Sequence, residues 1–562
     1  MPVSAVTGSV GFMLRRGAFL ASLGVFSLVL SACAAAEPAQ VAATERDLED
    51  YYAQDVSWGE CESDWLIDEE VSTLGDSELT CTTVLVPAVY DDSSDAPDFE
   101  LALMRRSQTD NPQGVIFINP GGPGVSGVGQ VQFSNFPDEL LGSFDIVGFD
   151  PRGVNHSSFA DGTDIRCSDV TDFITYFEEG SPANEAELDE VVEVLDAHYE
   201  GCQADNPFWW TLSTDNVAKD LDILREVVTP GEALNFIGSS YGTTIAGRYV
   251  SFFPDHVGRV VFDSPTTVDT DRIESRLEKL AADEDKLRGF VQGYADNQEI
   301  TFDQAWETVM DIRQLADDDQ LYGFAGPIPA DEFPDTQISS ESLFTRGIAA
   351  LNYIPQAEAQ NYFNQGIFDA VQYRWNGTFE WFAFWLDGYD PETLYGETLE
   401  DKEMVRSNEY EIRVMVNTMD FSEPPMPEDE QRELSRRAEE VAPLLTELYS
   451  DASGYEYFGP PKGLSWYQIA IDDPSIPDPP DEPFVPSNPS GADLLIIGST
   501  NESVTPFSFA EDTAEILGGT LIAVESDVHA PAGNYTNECV NRILIDYFLG
   551  SAEIEPVTCP GV

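Results

Sequence analysis

The segment running from Ala233-Leu-Asn-Phe-Ile237 through Gly238-Ser-Ser-Tyr-Gly242 into Thr243 to Phe253 constrains this chain more than any other. An apolar run of strand length meets a turn with a glycine at each end, and a stretch with helical character follows. A strand that turns this sharply into a helix needs residues that allow close backbone approach and unusual dihedrals, which is what glycine supplies. The geometry lifts the central residue, Ser240, into the open, while Ser239 sits off register. The first N-H groups of the helix aim at the same point and stabilise negative charge there.

The flanking sequence repeats the same grammar. Val84 to Val89 and Leu101 to Arg105 read as early strands, and Gly114-Val-Ile-Phe-Ile-Asn119 runs into the turn Pro120-Gly-Gly-Pro-Gly124. Asp145-Ile-Val-Gly-Phe-Asp150 ends at Pro151-Arg-Gly153, Thr214 to Val228 has helical spacing, and Val257 to Phe262 is a further apolar run. Near-continuous apolar strands alternating with helices predict an α/β fold with a mostly parallel central sheet. From Asp269 to Tyr467 the pattern changes to amphipathic helices, among them Arg272 to Tyr294 and Glu428 to Tyr449, with aromatics at Trp375, Trp381, Phe384 and Trp385. After the Pro-rich run Pro474 to Pro489, strands return at Asp493 to Ile497 and Thr520 to Val524. The expected division is a first core part over 56–268, a helical cap inserted over 269–480, and a second core part over 481–562. No internal repeat is visible.

Charge excludes one class of partner. With 103 acidic and 27 basic side chains among 562 residues the formal charge is -76, which repels phosphate backbones, so no nucleic acid is expected. The chain is nonetheless 42% hydrophobic and 11% aromatic, so the acidity belongs to the surface of a folded protein. Arg15 and Arg16 followed by the apolar run Ala18 to Leu30 read as an export signal over 1–33, with a spacer over 34–55. The junction Leu30-Ser31-Ala32-Cys33 resembles a bacterial lipobox, in which Cys33 is lipidated and the chain is held on the outer face of the cell membrane, or released from it. That anchor is the one expected membrane contact, because no later stretch is apolar for long enough to span a bilayer. Without Cys33, six cysteines remain: Cys61, Cys81, Cys167, Cys202, Cys539 and Cys559. An even number in an exported chain predicts disulfides, and although six allow 15 pairings, sequence neighbours close the shortest loops. No pair has CxxC spacing and only four histidines exist, so a zinc site is not expected.

A serine hydroxyl attacks only when a base takes its proton, and histidine is the usual base near neutral pH. His156, His198 and His256 lie before or directly after the serine turn, whereas His529 follows the strand Thr520 to Val524, in the chain order serine, acid, histidine. Glu502, just after the strand ending at Ile497, is the candidate acid that orients the imidazole; Glu525 and Asp527 lie too close to His529 in sequence. The glycine-rich turn at 119–124 is placed to help stabilise an oxyanion, so the N-H groups of Gly122 and Tyr241 are its candidate donors.

Together, Asn119 to Gly124, Phe144 to Gly153, Gly238 to Gly242, Thr505-Pro506 with Ala510, and His529 followed by Cys539 resemble the α/β-hydrolase branch of proline iminopeptidases and actinobacterial tripeptidyl aminopeptidases. That branch also includes lipoproteins described as carboxylesterases. The resemblance covers about Trp58 to Cys559 and implies a hydrolase core with an inserted helical cap, no cofactor, and release of residues or short peptides from substrates with a free N-terminus. It also implies the pairs Cys61 with Cys81, Cys167 with Cys202, and Cys539 with Cys559. Three positions depart from the family: Glu502 replaces the usual Asp, Val528 the usual Gly, and Asn119 the frequent His. Cap carboxylates such as Glu274 and Glu278 are the candidates for binding the substrate ammonium. The alternatives are a carboxylesterase or lipase with Trp381 and Trp385 in an acyl pocket, and a surface lipoprotein that binds without turnover.

Overall fold

In the computed structural model, the described residues are 47–66, 73–74, 77–91, 96–165, 201, 203–268, 272–318, 320–322, 341–386, 408–421, 428–449, 484–533 and 537–561. Cys33, Cys167, Cys202, His198 and most of the Pro-rich run fall outside them.

The strands are β1 (Thr73–Leu74), β2 (Ser77–Val86), β3 (Phe99–Ser107), β4 (Val115–Asn119), β5 (Asp145–Phe149), β6 (Ser158–Phe159), β7 (Leu234–Ser239), β8 (Val257–Asp263), β9 (Leu494–Ser499), β10 (Thr520–Val524) and β11 (Val557–Cys559). They form one sheet in the order β1-β2-β3-β5-β4-β7-β8-β9-β10-β11, with β6 paired to β3. The pairings from β5 through β4, β7, β8, β9 and β10 to β11 are parallel, and the β1-β2-β3-β5 edge is antiparallel.

The apolar strands are continuous because both faces of the sheet are covered. Phe117, Val260, Phe262, Leu494 and Ile496 point into one core, with Leu221 and Leu224 of helix Thr214–Val228 and Ile245 and Tyr249 of helix Gly242–Phe252. Their neighbours Ile116, Ile118, Val261, Leu495 and Ile497 point into the other, with Val128 and Val131 of helix Gly127–Phe133 and Val540 and Leu544 of helix Glu538–Leu549. Period-two alternation thus feeds two cores from a single run. A third core lies in the helices between β8 and β9, where Leu287, Phe290 and Val291 of helix Arg272–Gln298 pack with Phe344, Phe363 and Phe379. Helix Glu409–Phe421 lies inside this insert in sequence, yet Ile412, Met415 and Val416 join the core of the sheet.

Disulfides join Cys61 to Cys81 and Cys539 to Cys559, so one ties the N-terminal segment to β2 and the other ties the last helix to β11. Such bonds persist in oxidising surroundings and fit a chain exported from the cytoplasm. Among the described residues no helix is long and apolar enough to cross a membrane.

Candidate active site

Ser240 sits between β7 and helix Gly242–Phe252 with φ at 54°. A Cβ at Gly238 would collide with the carbonyl of Gly242, and one at Gly242 would lie 2.6 Å from the carbonyl oxygen of Asn119, so any larger residue would force the turn apart. Gly121, at φ 106°, packs equally close on the other side, where a Cβ would lie 2.8 Å from the amide nitrogen of Tyr241 and 3.0 Å from the Ser240 Cβ. The glycine-rich turn and the serine turn therefore touch, with Gly122 the next residue along. Asn119, fully buried, accepts the Gly121 N-H through Oδ1 at 3.0 Å and so shapes the turn from within.

His529 lies on the loop after β10. Its Nδ1 is 3.4 Å from Glu502 Oε1, with the imidazole 15% and the carboxylate 0% exposed. Thr505 Oγ1 donates to the same Glu502 oxygen and lies 3.5 Å from His529 Nδ1, while Ser264 Oγ donates to Glu502 Oε2 at 3.0 Å. With Nδ1 turned to the carboxylate, Nε2 is the nitrogen that can serve a hydroxyl. Of the other acids considered, Asp527 is engaged elsewhere: it accepts from Lys286 Nζ at 3.2 Å and from the N-H of Gln356. Among the other histidines, His156 stacks on Trp65 and His256 Nδ1 lies 2.8 Å from Asp222.

A residue that sequence reasoning passed over joins the two halves. Asp263, the last residue of β8, accepts the Ser239 hydroxyl at 2.9 Å, the Ala532 N-H at 3.0 Å and the Gly533 N-H at 2.7 Å, and its carbonyl accepts the Ser240 N-H at 2.9 Å. The serine turn and the histidine loop are thus pinned to one side chain. Burial raises the Asp263 carboxyl to about 6, opposed by these three hydrogen bonds and by the charge of His529. A buried carboxylate at a strand end beside a serine turn was the available signal, but nothing in the sequence distinguishes it from many other acids.

A second network reaches the turn from the helical insert. Asp420 accepts the Thr214 N-H at 2.9 Å and the Thr214 hydroxyl, and that hydroxyl also meets the phenol of buried Tyr241. Burial and the charge of Asp420 hold the Tyr241 phenol well above its ordinary value, so it stays protonated. Of the insert carboxylates, Glu274 forms two hydrogen bonds to Arg437, at 2.8 and 2.7 Å, and Glu278 accepts the Ser508 hydroxyl at 2.9 Å. Trp381 packs edge-on against Phe382 beside the insert core, and the Trp385 side chain is outside the described residues. No cluster of metal-ligating side chains occurs among the described residues.

A serine on a strand-to-helix turn, with a histidine-carboxylate pair at the ends of later strands of the same parallel sheet, defines a serine hydrolase. The chain is similar to two families of this class: the model described as alpha/beta hydrolase fold matches residues 114–311, and that described as TAP-like protein matches residues 471–559. It is 26% identical to the protein named serine protease Hip1 of Mycobacterium tuberculosis, over 94% of this chain and 95% of that one. It is also 29% identical to the tripeptidyl aminopeptidase of Streptomyces lividans, over 48% of this chain and 51% of that one. Against carboxylesterase B of Mycobacterium tuberculosis the identity is 26%, over 96% and 97%.

Proposed function

We propose that this protein is an exported serine aminopeptidase that releases residues or short peptides, including tripeptides, from free N-termini through an acyl-enzyme. The observation that carries the reading is the contact of His529 Nδ1 with the buried Glu502 carboxylate, on a loop pinned through Asp263 to the turn that bears Ser240. In this reading Ser240 Oγ attacks the scissile carbonyl while His529 Nε2 takes its proton and Glu502 stabilises the imidazolium. The N-H groups of Gly122 and Tyr241 receive the oxyanion. His529 then protonates the leaving amine, and a water molecule activated by the same imidazole releases the acyl group. The peptidase names of two relatives support an amide substrate. Glu274 is already neutralised by Arg437, so recognition of the substrate ammonium falls to Glu278 and its neighbours. Lipidation at Cys33 would hold the enzyme on the outer face of the cell membrane.

A carboxylesterase is the second reading, favoured by the relative of that name, which matches nearly the whole chain. Purified protein incubated with free and N-acetylated peptide amides, and with short acyl esters, separates the two. Cleavage restricted to free-amine peptides is expected, and turnover of esters alone would replace the aminopeptidase with the esterase. A fluorophosphonate should label the wild type and fail to label Ser240→Ala; equal labelling of both would refute the assignment of Ser240.

A further inference from the structure

Tyr353 is 41% exposed and meets His529 edge to face, with ring centroids 6.4 Å apart and planes at 81°. It comes from the helical insert, on the short turn Leu351–Tyr353, and the backbone around it is held on several sides. Leu351 is fully buried in the insert core. Asn352 Nδ2 donates to Asp283 Oδ1 on helix Arg272–Gln298 at 3.1 Å, and the N-H of Gln356 donates to Asp527, two residues before the base. An exposed aromatic ring on an anchored backbone is a preorganised contact surface, since it gives up little freedom when a ligand covers it.

The chemistry of the base says which part of a substrate would meet it. His529 Nε2 must reach both Ser240 Oγ and the leaving nitrogen, because it moves one proton from the first to the second as the acyl-oxygen bond forms and the carbon-nitrogen bond breaks. A group packed against this imidazole therefore borders the leaving side of the scissile bond. We propose that Tyr353 determines leaving-group specificity, selecting an apolar or aromatic residue immediately after the cleaved bond. The inference rests on the assignment of Ser240 and His529 given above. It makes a kinetic distinction: the tyrosine touches the departing group during acylation and touches nothing of the substrate once that group has gone.

The test uses full-length protein, Tyr353→Ala, Tyr353→Phe, and free-amine tetrapeptides that share their first three residues and end in Phe, Leu, Gly or Asp. A parallel series of esters of one acyl group with benzyl and methyl alcohol covers an ester-specific enzyme. The wild type should favour Phe and Leu, or benzyl, by about tenfold in kcat/KM, a selectivity that one apolar contact can supply. Tyr353→Ala should bring the series to within about twofold while Tyr353→Phe keeps the preference. Deacylation of the shared acyl-enzyme and the rate of fluorophosphonate labelling should stay unchanged in both variants. A wild type that is labelled but indifferent to the leaving group overturns the role of Tyr353 alone, as does a preference that survives in Tyr353→Ala. A loss of labelling in Tyr353→Ala matching its loss of cleavage would make the residue structural, and a wild type without label refutes the active-site assignment itself.

Discussion

Asp263 shows how one buried acid can serve two parts of the candidate active site. As a carboxylate it accepts three donors at once, from Ser239, Ala532 and Gly533, and a protonated carboxyl would have to give up part of that set. Its pKa is raised from 3.8 to about 6, so between these values the folded chain keeps a proton that the unfolded chain releases. Stability from this group is therefore fully present below about pH 4 and declines as pH rises towards 6, by about 3 kcal/mol in total. Subtracting the unfolding free energy of Asp263→Asn from that of the wild type, by urea titration at each pH, should give a difference that falls by about 3 kcal/mol between pH 4 and pH 7. A difference that is flat or rises over that interval would contradict the assignment. Motif and chain order were enough to nominate Ser240 and His529 as candidates, but not Asp263, because its role depends on where three backbone segments converge.

Helix Glu409–Phe421 joins the insert to the hydrolase core. Its apolar face enters the core of the sheet through Ile412, Met415 and Val416, and Asp420 on the same helix binds Thr214, which contacts the phenol of Tyr241. Helical spacing and position made this segment one more piece of the insert, and periodicity says which face is buried without saying against what. Asp420→Ala removes a buried acceptor of the Thr214 N-H and hydroxyl and a partner of Arg248 at 3.8 Å. We expect a loss of about 3 kcal/mol in unfolding free energy by urea denaturation, the size associated with orphaning buried polar groups. A loss below about 1 kcal/mol would mean that apolar packing alone docks the helix.

The molecule as a whole carries a formal charge of -76, and like charges held on a compact surface repel one another more than they do on an extended chain. Salt screens that repulsion over distances of about 10 Å at 0.1 M, so sodium chloride should raise the thermal midpoint, most steeply at low concentration. Calorimetry over a salt series tests this, and a midpoint that is independent of salt or falls with it would show that attractive pairs dominate. Pairs such as Arg152 with Asp220, both buried and 2.5 Å apart, lie out of reach of added salt and supply that internal attraction.

Local sequence was sufficient wherever a backbone requirement is written into a few neighbouring residues. The glycines around Ser240 and the apolar strands of the parallel sheet are of this kind, because steric exclusion and side-chain alternation act over short range. Convergence of distant segments was decided only by the tertiary structure. The clamp of Asp263, the reach of Asp420 to the serine turn, the pairing of Glu274 with Arg437 and the placement of Tyr353 against His529 each join residues far apart in the chain. Such contacts are settled by how the cores pack, and no pattern of neighbouring residues encodes them.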